Sequence, residues 1–157
     1  MEFRPIGVIH TPFERTEGMP IQPSGAAGIR GTVDVLPEFA EGLKDLDGFS
    51  HVTLVYHLHR AKPHRLIVVP FMDTEPRGVF ATRAPSRPNP IGLSTVRLIA
   101  VRGSTLEVEG VDMLDGTPLL DIKPYVPEFD GETEIRVGWL ERHRGRSRGH
   151  RSDGRFR

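Results

Sequence analysis

The sequence predicts a mainly β fold, a small single domain built as a barrel or sandwich with one short helix and long functional loops. Nine short runs, many of them rich in Val, Ile, Thr or Phe, follow one another at fairly regular spacing with turn residues between them. Only one stretch has helical spacing and no GxGxxG motif is present, which argues against a doubly wound nucleotide-binding sheet. The 157 residues suffice for one core, and the absence of cysteine excludes disulfides and thiolate metal sites.

The candidate strands are bounded by turn residues along the whole chain. RGS at 102–104 predicts a hairpin, and LDGTP at 114–118 predicts a turn because Asp and Gly tolerate its backbone. In chain order, the predicted strands are residues 5–10, 29–36, 51–58, 66–71, 78–83, 93–101, 105–111, 119–125 and 134–140.

Two stretches differ from this strand pattern. Residues 37–49 predict the helix, because Phe39, Leu43 and Leu46 recur at helical spacing and a proline suits the first turn. The early loop, residues 11–28, contains three prolines and three glycines. A loop of this length in a compact domain is often functional.

Charge is distributed unevenly. Residues 142–157 contain seven arginines and one aspartate, whereas residues 1–141 carry 14 basic and 20 acidic side chains. Because the tail has few apolar side chains, we expect it to be disordered beside a folded domain of residues 1–141. Such tails often bind nucleic acid through phosphates, although a solvated terminus without a partner is the alternative. No signal-peptide pattern or membrane-length apolar run is present, so a soluble, cytoplasmic protein is expected.

The segment VFATRAPSRPNPIGLS at 79–94 has three prolines within six residues. Proline fixes φ and biases the preceding residue toward extended backbone, so the stiff loop, residues 83–90, is set before any ligand binds. Arg83 and Arg87 suit a carboxylate or phosphate, and Asn89 supplies a donor and an acceptor. The alternative is a rigid connection between strands that carries surface arginines.

A second polar cluster follows the LDGTP turn. Asp121, Lys123 and Tyr125 share one strand face by alternation. An acid, a cation and a phenol together favour a chemical role, whereas a solvent-facing polar stripe is the alternative.

Three segments carry a family resemblance: GFSHVTLVYHLH at 48–59, GVFATRAPSRPNPIGLSTVRL at 78–98 and LDGTPLLDIKPY at 114–125. In this order and spacing, over about residues 5–140, the chain resembles the TsaA-like (TrmO) family. The resemblance implies a small β-barrel, a homodimer with S-adenosyl-L-methionine near the subunit interface, and a tRNA partner. The implied reaction is methyl transfer to N6 of an adenosine beside the anticodon that already carries a threonylcarbamoyl group.

The resemblance also implies which residues contact the cofactor. Arg83 or Arg60 would pair with its carboxylate, backbone groups of 113–116 would contact the adenine edge, and Leu114 or Leu93 would cover the adenine face. The implied set is Gln22, Pro23, Ser24, His59, Arg60, Arg83, Leu93, Met113, Leu114, Asp115 and Gly116.

Catalytic roles follow from the chemistry of N6, which must lose a proton as it is methylated. Asp121 and Tyr125 are the candidate general bases, with Lys123 lowering a neighbour's pKa or orienting the threonyl carboxylate. Arg87 and Asn89 are candidates for holding the modified base.

No metal site is expected. His51, His57 and His59 share a strand face, but strand histidines usually satisfy local bonds and methyl transfer from a sulfonium needs no metal. Two other functions remain open: a non-catalytic module that binds S-adenosylmethionine or RNA, and a methyltransferase that acts on a small molecule. The cluster at 121–125 favours an enzyme, and the basic tail favours RNA.

Overall fold

The computed structural model describes residues 1–156 and builds them around a closed barrel of antiparallel strands. Six strands close the barrel in the order β1-β2-β7-β6-β3-β8, and the other two, β4 and β5, form a separate two-stranded sheet. Their bounds are β1 Gly7–His10, β2 Arg30–Val35, β3 His51–His57, β4 Ile67–Val68, β5 Arg77–Gly78, β6 Ile91–Arg102, β7 Thr105–Glu109 and β8 Thr117–Pro124. The predicted mainly β fold is confirmed, and the closed sheet decides for a barrel over a sandwich.

Alternation along each strand fills the barrel interior. On β3 the residues Val52, Leu54 and Tyr56 point inward and are buried, while the strand ends His51 and His57 are exposed. Burying an aliphatic side chain of this size stabilises the fold by about 1.5–3 kcal/mol. The fully buried partners from the other strands are Ile9, Val33, Val96, Leu106 and Leu119.

The helix predicted over 37–49 is wrong in type. Two 3₁₀ segments, Pro37–Leu43 and Leu46–Gly48, take its place. Leu43 and Leu46 are both buried, and their separation by three residues suits a helix with three residues per turn. Asp45 lies between them at φ 66°, which ends one segment before the next begins. Among residues 1–156, no helix has the length and apolar character that crossing a membrane would require.

Three predicted strands are shortened or wrong because they lie outside the barrel. The run 66–71 pairs only at Ile67–Val68, and the run 78–83 has only its first residue in β5, followed by a 3₁₀ turn at Val79–Ala81. Residues 134–140 form no strand, and a 3₁₀ helix covers Gly138–His143 instead. There the Trp139 indole donates a 2.8 Å hydrogen bond to the Ala81 carbonyl oxygen, a contact that alternation does not reveal. The hairpin at 102–104 is confirmed, since Arg102 pairs with Thr105 around a glycine at φ 61°.

The basic arm, residues 142–156, lies against the early loop and the β4–β5 region. The Gly18 amide donates to the Ser152 carbonyl at 2.9 Å, and the Ser152 amide donates to the Met19 carbonyl at 2.9 Å. Phe156 packs edge-on against Phe71 with ring centroids 5.1 Å apart. Backbone groups of the early loop and one aromatic side chain thus supply partners that composition does not count, and the disorder expected for the tail stays a prediction.

Candidate functional site

A cleft of about 1300 Å³ lies where the early loop, the end of β3, the stiff loop, the start of β6, the segment before β8 and the basic arm meet. It therefore brings together segments far apart in sequence. The candidate residues that line it are Gln22, Pro23, Ser24, His59, Arg60, Arg83, Arg87, Leu93, Met113, Leu114 and Tyr125. Five others lie outside the lining: Asn89, Asp115, Gly116, Asp121 and Lys123.

The early loop and the stiff loop meet at Arg83. Its guanidinium Nη1 donates to Gln22 Oε1 over 3.4 Å, and Pro23 begins a short 3₁₀ turn directly after that glutamine. Arg83 is exposed and lines the cleft, so its guanidinium is available to an anionic group of a ligand.

The residues that follow β3 are hydrogen-bonded to the early loop. Arg60 Nη1 donates to the Glu14 carbonyl oxygen at 3.2 Å, and the His59 amide donates to the His57 carbonyl at 2.8 Å. Partial burial, followed by the Arg60 charge, lowers the pKa of His59. His59 therefore favours its neutral form at the cleft wall.

Arg87 holds the stiff loop together from within. Its Nη1 donates to the carbonyl oxygens of Thr82 at 2.8 Å, Val79 at 3.1 Å and Ala84 at 3.4 Å. The Ala84 carbonyl belongs to the stiff loop, whereas those of Val79 and Thr82 lie directly before it. Arg87 therefore also ties the loop to the preceding turn. Binding of the modified base by Arg87 stays a prediction, as it does for the exposed Asn89.

The turn before β8 is held in place by the Asp115 carboxylate. Asp115 Oδ1 accepts from the Thr11 amide at 3.0 Å and lies 3.3 Å from His10 Nδ1. The hydrogen bond from Thr11 is the main cause that lowers the pKa of Asp115, so its carboxylate is stabilised as an anchor. Met113 and Leu114 are buried and face the cleft. The Asp115 amide donates to the Phe13 carbonyl of the early loop at 2.8 Å, and the Gly116 amide donates to the Ile9 carbonyl of β1 at 3.0 Å.

The outer face of β8 carries the polar cluster that alternation predicted. Lys123 Nζ lies 2.8 Å from Asp121 Oδ2, with the two side chains 67% and 46% exposed. The hydrogen bond that Lys123 donates to Asp121 raises the pKa of Lys123. Of the three, Tyr125 alone lines the cleft, and its ring lies edge-on to His51 with centroids 6.5 Å apart. Within one chain, Asp121 and Lys123 therefore form a solvent-facing pair.

Three residues that the sequence did not single out as site residues form a polar chain at the cleft, in which Tyr56 and Ser94 are buried and Asp112 is half-buried. Tyr56 Oη lies 2.9 Å from Ser94 Oγ, and Ser94 Oγ donates to Asp112 Oδ1 at 2.6 Å. Tyr56 pairs with Gly92 across the β3–β6 ladder, and its ring occupies the space where a Cβ of residue 92 would stand. Gly92 was the only signal of this arrangement in the sequence, because a residue without a side chain lets a large group approach the backbone closely.

Burial is the main cause of the raised pKa values of Tyr56 and Asp112. It raises the pKa of Asp112 to about 6, and the Ser94 hydrogen bond and the Arg83 charge lower it only in part. Burial also raises the pKa of Tyr56 well above its usual value, and the Asp112 charge adds to this effect. The cleft is thus lined by the Arg83 cation and by the Asp112 carboxyl, whose pKa burial raises to about 6.

A closed barrel with an arginine-fringed cleft of this size defines a β-barrel ligand-binding domain, distinct from the nucleotide-binding sheets. The family model for the tRNA-methyltransferase O N-terminal domain matches residues 8–131. The chain belongs to the tRNA-methyltransferase O (TrmO) family.

Relatives and solved structures agree with this assignment. A probable S-adenosyl-L-methionine-binding protein of Pyrococcus abyssi is 58% identical over 154 residues, covering 98% of this chain and 84% of that protein. A tRNA (adenine(37)-N6)-methyltransferase of Mus musculus is 35% identical, covering 85% of this chain and 32% of that protein. The crystal structure of TrmO from Pseudomonas aeruginosa superposes with a TM-score of 0.75 at 42% identity, covering 88% of this chain. This chain spans 62% of the length of that solved protein.

Proposed function

We propose that this protein is an S-adenosylmethionine-dependent tRNA methyltransferase. It transfers a methyl group to N6 of an adenosine beside the anticodon that already carries a threonylcarbamoyl group. The supporting observation is the cleft, which gathers most of the residues that the family resemblance assigns to the cofactor into one place. The name of the mouse relative supports the adenine-N6 reaction.

The residues present fit the cofactor. Arg83 faces the cleft and suits the carboxylate, while Met113, Leu114 and Leu93 provide apolar surface for the adenine. When bound, S-adenosylmethionine supplies an electrophilic methyl group on a sulfonium. The chain's contribution is to hold it beside N6, since aligned reactants about 3–3.5 Å apart gain much of their rate from proximity.

The stiff loop prepares this binding. The three carbonyl contacts of Arg87 and the prolines fix its backbone, so little ordering remains when a ligand arrives. Backbone groups of 113–116 remain the proposed contacts of the adenine edge, and the anchored Asp115 keeps that turn in place.

A homodimer forms part of the proposal. Exposed apolar side chains line part of the cleft, with Phe80 74%, Leu93 55% and Ile91 40% exposed. Apolar surface of this kind marks interaction sites, and the family resemblance implies a cofactor near a subunit interface. Sedimentation of the wild type should give a dimer, and Ile91→Arg should shift it to the monomer. A wild-type monomer at all concentrations would contradict the dimer.

Label transfer tests the reaction. The protein is incubated with methyl-labelled S-adenosylmethionine and with tRNA that carries or lacks the threonylcarbamoyl group. We expect label only in the modified tRNA, at the adenosine beside the anticodon. Label in unmodified tRNA would overturn the substrate assignment, and absence of label from both would overturn the reaction.

A second candidate is a non-catalytic S-adenosylmethionine-binding module. The Pyrococcus abyssi relative and a relative from Archaeoglobus fulgidus that is 41% identical over 130 residues are both named for binding alone. Cofactor binding without transfer to any tRNA would favour this function. The polar chain at the cleft favours the enzyme, because ionisable groups with displaced pKa values are typical of active sites.

A further inference from the structure

The polar chain of Tyr56, Ser94 and Asp112 has no role in the proposal so far. Its hydrogen bonds of 2.9 and 2.6 Å lead from the barrel interior to a carboxyl at the cleft wall. Tyr56 and Ser94 are buried, and both are inward residues of neighbouring strands, β3 and β6. The barrel therefore fixes the position of Asp112, whereas a surface carboxyl would be free to move.

Asp130 also lines the cleft, but it is exposed and accepts a 2.9 Å hydrogen bond from the Val126 amide. Two nearby carboxyls outside the lining are also less suited to accept a proton. Asp121 is paired with Lys123 on the exposed face of β8 and lies outside the cleft lining. Asp115 accepts bonds from the Thr11 amide and His10, which stabilise its charged form and weaken it as a base. Asp112 both lines the cleft and accepts a neutral hydroxyl donor.

We propose that Asp112 is the general base, the group that takes the N6 proton, and that Ser94 and Tyr56 position it. This role rests on the proposed function. As the methyl group moves, the N6–H bond breaks and the proton passes to an Asp112 oxygen. The N6 electron pair forms the bond to the methyl carbon, and the pair of the broken carbon–sulfur bond stays on the sulfur. The sulfonium charge and the carboxylate charge are both neutralised, and the proton then leaves to solvent.

The charged surroundings of Asp112 set its pH dependence. Burial is the main cause that raises the Asp112 pKa, and the Arg83 charge, from the stiff loop, favours the carboxylate. Tyr56, from β3, carries no charge in this range, because burial and the Asp112 charge raise the pKa of its phenol. The Ser94 hydroxyl, from β6, also favours the carboxylate, while burial opposes it. The active form is the anion, so turnover should rise as pH increases through about 6 and level off above it.

Asp112→Asn tests the base role because the amide keeps the shape and can still accept from Ser94. We expect kcat to fall by a factor on the order of 10² to 10⁴ and the acid limb of the pH profile to disappear. The dissociation constant for S-adenosylmethionine, measured by calorimetry, should stay within about twofold. Asp47→Asn, in the 3₁₀ segment Leu46–Gly48 and outside the cleft lining, is the matched control and should behave as wild type.

Ser94→Ala keeps the proposal testable if the asparagine variant does not fold. Losing the hydroxyl removes a bond to the anion, so the acid limb should move upward by about one pH unit. The same displacement should be seen without cofactor, in an NMR titration of the Asp112 carboxyl carbon. Tyr56→Phe should displace both readouts less, since its hydroxyl acts on Asp112 through Ser94.

The possible results separate this role from the alternatives. Unchanged kcat in Asp112→Asn, or an acid limb that stays fixed in Ser94→Ala while the carboxyl pKa moves, would overturn the base role. Weaker cofactor binding with kcat intact would also overturn it, because Asp112 would then hold the cofactor's ammonium. Wild-type protein that labels no tRNA would instead overturn the proposed function itself.

Discussion

At the scale of single residues, burial and hydrogen bonding divide the carboxyls of this protein into distinct roles. Asp115 is held in its charged form as an anchor of the turn before β8, and Asp121 forms an exposed ion pair. Asp112 is the carboxyl whose charged form is disfavoured by burial. Three aspartates within ten positions therefore differ because of their surroundings, which a sequence pattern cannot show.

The raised pKa of Asp112 predicts a pH-dependent cost to stability. Between the ordinary aspartate pKa of 3.8 and about 6, the folded protein binds more protons than the unfolded chain. Wild-type stability should therefore decrease through this range as pH rises, by roughly 3 kcal/mol in total. Asp112→Asn should lack this decrease. Urea unfolding of both proteins at pH 4, 5, 6 and 7 measures it, and parallel curves would contradict the buried, disfavoured charge.

At the scale of elements, the sequence predicts the barrel strands well and the segments around them poorly. The alternation of apolar and polar residues located β3 and β8, because each strand turns one face toward the barrel core. The strand expected at 134–140 failed because Trp139 packs on a loop carbonyl, and the helix at 37–49 became 3₁₀. Motif resemblance located most of the cleft, but the inward polar residues were missed because Tyr56 fits a core strand equally well.

The stiff loop gives a prediction at the same scale. Arg87→Lys keeps the charge but removes the planar group that contacts three carbonyls, so we expect a stability loss of about 1–3 kcal/mol. Cofactor affinity should also fall, since the loop would have to be ordered on binding. Arg97→Lys, exposed on β6, is the control and should change neither quantity. Equal stability of the two variants in thermal unfolding would show that proline alone fixes the loop.

At the scale of the whole molecule, the acidic barrel and the basic arm differ in charge, and we expect them to bind different ligands. The arm borders the cleft and presents exposed arginines, including Arg146 and Arg148, next to it. The rest of the chain is net acidic, so attraction of a polyanion depends on local patches of this kind. Under the proposed function, we expect the arm to contact tRNA and the cleft to bind the methyl donor.

Salt dependence tests the arm. In Arg146→Gln combined with Arg148→Gln, the slope of log affinity for tRNA against log salt concentration should shrink in magnitude by about 2. Arg97→Gln combined with Arg102→Gln, on the opposite end of β6 from the cleft, should leave the slope unchanged. Filter binding at four salt concentrations gives both slopes. If the two double variants do not differ, tRNA does not contact the arm.

Calorimetric titration with S-adenosylmethionine is the most direct measurement of the central claim, that the cleft is a site for the methyl donor. We expect saturable binding with one site per chain in the wild type and in Arg97→Ala. In Arg83→Ala the affinity should fall at least tenfold, because the guanidinium in the cleft lining no longer meets the donor's carboxylate. The absence of binding heat in the wild type across temperatures, or equal affinity in Arg83→Ala and Arg97→Ala, would contradict the account.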